Sequence, residues 1–190
     1  MNIPNTLTII RIALLPLIII AVYLPFKDHY IYAAVIFTIA SVTDWFDGYL
    51  ARKLNQATPL GAFLDPVADK LMVAVSLILL VEIHASPWFA IPSAIIVCRE
   101  IIISALREWM AELGKRASVA VSFVGKIKTA SQMVAIVVLL AVGNQMDSPY
   151  RILGYILLYL AAALTLWSMV IYLKAAWPDL MGKGHSKIES

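Results

Sequence analysis

One cysteine in 190 residues, Cys98, excludes an internal disulfide and any cysteine-rich metal site, and leaves this residue an expected core filler. The three histidines, His29, His84 and His185, stand apart at span ends or in the tail, so no histidine cluster offers itself as a ligand set. Charged residues make up only 14% of the chain, and neither low-complexity sequence nor an internal repeat interrupts it. The net charge of +3 raises the question of nucleic acid, but no nucleic-acid-binding signature is present. No basic leader precedes the first apolar run and no small-residue cleavage site follows it before Pro25, so this run is expected to stay in the mature protein.

What the chain has in excess is apolar surface. Hydrophobic residues account for 62% of it, and its mean hydropathy is +0.86, far beyond a soluble domain. A membrane span needs about 20 residues, and six candidates follow: Thr8 to Tyr23, Tyr30 to Arg52, Pro59 to Val81, Trp88 to Met110, Val119 to Val142 and Tyr150 to Leu173. The expected fold is all-α: one polytopic membrane domain over residues 1–182 with six transmembrane helices, followed by a polar tail, 183–190. The turns on one side carry only Lys27 and Arg151, whereas the other side carries Arg52, Lys53, Arg107, Lys115, Arg116, Lys174, Lys183 and Lys187. The positive-inside rule therefore places both termini in the cytoplasm, and anionic lipid headgroups account for the basic charge more simply than nucleic acid does. Trp88, Trp109, Trp167 and Trp177 lie near span ends with Tyr23, Tyr30 and Tyr150, as an interfacial aromatic belt requires.

The stretch TDWFDGYLARKLNQATPLGAFLDPVADK, from Thr43 to Lys70, places Asp44, Asp47, Asp65 and Asp69 in this apolar setting. The turn KLNQAT joins spans two and three into an antiparallel hairpin, with Thr58 as N-cap and Pro59 in the first helical position. That register sets Asp47 opposite Asp65 and Asp44 opposite Asp69 in two layers, and Ala51 opposite Gly61, where small residues allow close backbone approach. Within each helix the acids are three or four apart, on one face.

Four converging carboxylates repel and cannot all stay ionised without cations. Oxygen-only ligands suit Mg²⁺ or Mn²⁺, and shared carboxylates suit two such ions about 3.5–4 Å apart, an arrangement that clamps a phosphoryl group. Arg52, one turn beyond Gly48, adds a guanidinium fork for phosphate. The competing reading is structural pairing with Arg52, Lys53 and Lys70; intramembrane acids more commonly mark function. Lys70 is expected to turn away from the acids and snorkel.

Asp44, Asp47, Gly48, Ala51, Arg52, Gly61, Asp65 and Asp69, at these spacings, form the complete signature of the CDP-alcohol phosphatidyltransferases, and the chain resembles that family. The resemblance implies a six-helix membrane domain, usually a homodimer. In it the aspartates bind two divalent metals on the diphosphate of a CDP-linked lipid, Asp69 is the general base, and Gly48, Ala51, Arg52 and Gly61 shape the CDP site. The segments NIPNTLTIIRI and REIIISALREWMAELGKRASVAVSFVGKIKT are similar to the bacterial branch of the family that moves a phosphatidyl group from CDP-diacylglycerol to sn-glycerol 3-phosphate and releases CMP at the inner membrane.

An acceptor that carries its own phosphate needs fixed cations near the acids. Arg107 and Lys126, at similar depth near the cytoplasmic face, are the first candidates, with Arg99, Lys115, Arg116 and Lys128 behind them. The plainer alternative pairs Arg99 with Glu100 or another acid, places Glu108 and Glu112 in helix-surface pairs, and assigns Lys115 and Arg116 to the positive-inside rule. Thr8 and Arg11 are expected at nucleotide or phosphate, unless Arg11 snorkels. Rival functions are the same chemistry on another acceptor, such as inositol phosphate or serine, a prenyltransferase, and a divalent-cation transporter. The last would need a polar path to the far face, which the apolar runs YIYAAVIFTIA and LMVAVSLILLV do not offer.

Overall fold

The computed structural model describes the backbone of residues 3–54, 58–113, 123–145 and 147–181, and within them the side chains of all but 3–4, 45–54, 62, 123–124 and 126. These residues form six helices and, among the described residues, no strand: α1 Ile3–Tyr23, α2 His29–Leu54, α3 Pro59–His84, α4 Pro87–Glu112, α5 Phe123–Val142 and α6 Pro149–Leu180. Three of them, α1, α4 and α6, contain segments long and apolar enough to cross a membrane.

Local chemistry explains the breaks. Thr58 caps α3, its Oγ1 accepting from the Gly61 N–H at 3.0 Å, and Pro59 follows at the first helical position. Prolines also open α4 and α6, after Ser86 and Ser148. Inside the helices, hydroxyls that would be costly in lipid are satisfied by the preceding turn: Thr38, Ser41 and Thr43 donate to the carbonyls of Ala34, Phe37 and Ile39.

The core is a column of side chains with almost no exposure, including Ile18, Phe37, Leu77, Leu80, Ile96, Ile136, Leu139 and Leu158. Around it α1 packs on α2 and α3, α5 packs on α2 and α6, and α4 packs on α6. Gly154 lets α6 close on α5: a Cβ there would stand 2.5 Å from Leu139 Cγ. Outward-facing Ile20, Ile39, Ile78, Ile101 and Ile152 present an apolar surface of the kind that lipid covers. Trp88, Trp167 and Trp177 also point outward, as belt residues do.

Several expectations need correcting. Helix α6 continues past Leu173 to Leu180, and α1 begins at Ile3, bringing Asn5 into the first helix. Cys98 is exposed on α4 and fills no core. His84 is buried, its ring stacked on Phe89 with centroids 4.8 Å apart and neither ring nitrogen hydrogen-bonded. Helix α1 packs along both α2 and α3, a neighbour that the hairpin register did not specify.

Candidate active site

Helix α1 supplies the first wall. Its buried stripe at three- and four-residue spacing runs Asn5, Thr8, Arg11, Leu15, Ile18, Val22, polar for two turns and apolar thereafter. Each polar member reaches a separate point on the acid-bearing helices. Asn5 Oδ1 accepts from the Thr58 hydroxyl at 2.8 Å, Thr8 Oγ1 donates to Asp65 Oδ1 at 2.5 Å, and Arg11 Nη1 stands 2.6 Å from both Asp44 Oδ1 and Asp69 Oδ1. Arg11 is only 1% exposed, so its charge is tolerated there because two carboxylates surround it.

This arrangement adds to the account of two residues. Arg11 does not snorkel but joins α2 to α3 through their acids. Gly61 makes room for the Asn5 side chain: a Cβ there would lie 2.6 Å from Asn5 Oδ1, so a larger residue would push that side chain off the Thr58 hydroxyl. The anticipated partner of Gly61, Ala51, has its side chain outside the described residues, as do Asp47, Arg52 and Lys126; Gly48 lies in the same part of α2. Lys115 and Arg116 also lie outside the described residues.

A cavity of about 190 Å³ adjoins the acids, and its lining includes Asp44, Asp69, Lys70, Glu100, Lys128 and Gln132. Lys70 therefore contributes to the cavity instead of turning away from the acids. On the far wall Glu100 Oε1 accepts from Lys128 Nζ at 2.6 Å and from Arg99 Nη1 at 3.0 Å. Arg99 Nη2 donates to Ser168 Oγ at 2.8 Å. Arg99 is thus held as the structural alternative anticipated, while Lys128 stands at the cavity with its charge partly balanced. Arg107 is exposed, bonds the Tyr172 hydroxyl at 2.6 Å and lies over that ring at 4.9 Å. Gln132, 4% exposed, lines the cavity with its Oε1 unpaired.

The donor set is chemically apt for a hard divalent cation. Asp44 and Asp69 side chains are 37% and 43% exposed and already converge on a single positively charged nitrogen from two different helices. Among the described residues no three acidic, histidine or cysteine side chains are gathered into a ready metal cage; Asp65 is engaged with Thr8, and the Asp47 side chain lies outside that set. Sequence reading passed over Asn5, Gln132, Ser168 and Tyr172. Asn5 was within reach of it, since polar residues at 5, 8 and 11 mark one face of an otherwise apolar helix.

Comparison with known proteins decides the family. The model of the CDP-alcohol phosphatidyltransferase family matches residues 1–167. The chain belongs to that family. It is 52% identical over 190 residues to a Pseudomonas fluorescens protein named CDP-diacylglycerol-glycerol-3-phosphate 3-phosphatidyltransferase, covering 100% of this chain and 97% of the relative. Proteins of the same name from Yersinia pestis (strain Pestoides F) and Pectobacterium atrosepticum are 54% and 55% identical, each covering 95% of this chain and 98% and 97% of their own lengths. As a CDP-alcohol phosphatidyltransferase, the chain has its eight signature residues on α2 and α3 and a cavity with acids on one side and cations on the other.

Proposed function

We propose that the protein transfers the phosphatidyl group of CDP-diacylglycerol to sn-glycerol 3-phosphate, releasing CMP. The observation that carries this reading is the two-sided cavity, with Asp44 and Asp69 facing Glu100-anchored Lys128 across one small space. Relatives at 52–55% identity over nearly the whole chain carry the name of that activity.

In the reaction the acceptor phosphate docks on the basic wall at Lys128, with Arg107 and Lys126 toward the cytoplasmic end and Arg99 behind it, held on Glu100 and Ser168. Docking there orients the acceptor hydroxyl toward the acids. Asp69 takes the hydroxyl proton, the freed oxygen forms a bond to the lipid-side phosphorus, and the bond from that phosphorus to the bridging oxygen breaks, with CMP leaving on the electron pair. Asp44, Asp47, Asp65 and Asp69 are the residues that would hold Mg²⁺ or Mn²⁺. Two such ions would neutralise the donor diphosphate and the charge developing on departing CMP. Gly48, Ala51, Arg52, Gly61 and Thr8 line the donor side in this reading. Acyl chains stay in lipid against the outward apolar faces, and both termini lie in the cytoplasm with the active site at the inner face of the bacterial inner membrane.

A cation transporter fits less well, because among the described residues the bundle beyond Asp69 is filled mainly by apolar side chains, Val73, Leu77, Leu80, Phe37 and Leu139. The test is CMP release by purified protein given CDP-diacylglycerol and Mg²⁺, compared across glycerol 3-phosphate, inositol phosphate, serine and glycerol. Release with glycerol 3-phosphate alone, lost on adding excess chelator, is expected. Preference for another acceptor overturns the substrate, and undiminished release in chelator overturns the metal requirement.

A further inference from the structure

Arg11 is the largest fully buried side chain among the described residues, and it takes no part in the transfer step itself. Its position is specific. One nitrogen, Nη1, lies 2.6 Å from an oxygen of Asp44 on α2 and 2.6 Å from an oxygen of Asp69 on α3. A cation equidistant from two carboxylate oxygens on separate helices has the placement of a bridging metal ion, but it is tethered to α1. Thr8, one turn earlier, holds Asp65 by a hydrogen bond, so α1 touches Asp44, Asp65 and Asp69, the signature acids whose side chains are among the described residues.

We propose that Arg11 is a positioning residue, a tethered cation that bridges Asp44 and Asp69 when divalent ions are absent and competes with those ions for the same oxygens. The proposal rests on the two-metal reading above. Two consequences follow from charge alone. The acids stay aligned without metal, because the Arg11 charge offsets the repulsion between two converging carboxylates. Divalent binding is also weakened by a fixed positive charge at the site, so ions bind firmly only when the donor's diphosphate adds its own negative charge.

The test is Mn²⁺ binding, followed by the loss of free-ion EPR signal, on the full chain in lipid nanodiscs without acceptor. Wild type, Arg11→Met and Arg11→Lys are compared with and without CDP as the soluble donor headgroup. Wild type is expected to bind Mn²⁺ weakly alone and at least tenfold more tightly with CDP. Arg11→Met, which keeps the apolar stem but removes the charge, is expected to bind Mn²⁺ alone at least tenfold more tightly than wild type and to gain little from CDP. Its metal-free melting temperature should fall and be restored by Mn²⁺. Arg11→Lys, which keeps the charge on a shorter stem, should lie between, and it carries the test if the Met variant does not fold. Unchanged or weaker Mn²⁺ binding in the folded variants overturns the proposal and leaves the metal reading intact. No Mn²⁺ binding by wild type even with CDP overturns both.

Discussion

The two polar clusters that meet at the cavity are built as inverses. On the α1–α2–α3 side one cation, Arg11, stands between two carboxylates, Asp44 and Asp69; on the α4–α5 side one carboxylate, Glu100, holds two cations, Arg99 and Lys128. Among the described residues the first trio has two negative charges against one positive, and the second two positive against one negative. Each trio thus retains the sign its ligand needs, negative for divalent cations and positive for a phosphate.

The largest effect should come from the acidic side. Asp69→Asn keeps an oxygen near Arg11 but loses basicity, so turnover should fall by about 10³-fold or more while CDP-diacylglycerol still binds. The measurement is single-turnover CMP release alongside donor binding. Near-normal turnover would make Asp69 a scaffold residue and remove the catalytic meaning of the acidic surplus.

On the basic side the effect should be smaller and should fall on one substrate only. Lys128→Ala removes a cation at the cavity, and a charge-assisted hydrogen bond of about 1.5–3 kcal/mol translates into a rise of roughly 10- to 100-fold in KM for glycerol 3-phosphate. KM for CDP-diacylglycerol should stay within about twofold of wild type. Equal rises in both constants would show that the cavity is not divided into donor and acceptor walls.

How much of this was legible in the sequence depends on what periodicity can express. Helical spacing gives depth, and depth was read well: Asp44 and Asp69, assigned to one layer, both reach the same Arg11 nitrogen. Spacing does not say which helix stands alongside. The register of the hairpin did not show that α1 lies along both α2 and α3, or that the Asn5 side chain stands beside Gly61; Ala51, the expected partner of Gly61, has its side chain outside the described residues. Hydropathy also misleads at a lipid-facing surface, where the outside of the bundle is as apolar as the core. Cys98 was assigned inward and faces outward, while Arg11 was offered an escape to water and is buried. The pairing of Arg99 with Glu100 was anticipated because adjacent opposite charges are visible in a string of letters. Its continuation to Lys128 on α5 and Ser168 on α6 was not, because those positions are 28 and 69 residues away from their partners.

The smallest expected effect tests how the basic wall is held together. Ser168 Oγ accepts from Arg99 Nη2 at 2.8 Å and donates to the Thr165 carbonyl at 2.9 Å, tying α4 to α6 without adding charge. Ser168→Ala removes that tie but leaves the ion pair with Glu100 in place, so the loss should be that of one hydrogen bond, about 1 kcal/mol. That corresponds to a rise of roughly two- to fivefold in KM for glycerol 3-phosphate, with turnover and the donor KM unmoved. The order of the two basic-side variants carries the information. If Ser168→Ala raises the acceptor KM as much as Lys128→Ala does, Arg99 held from α6 is the principal phosphate anchor, and Lys128 serves mainly to balance Glu100. If Ser168→Ala leaves the acceptor KM untouched, the Arg99 guanidinium is structural and the positive surplus rests on Lys128.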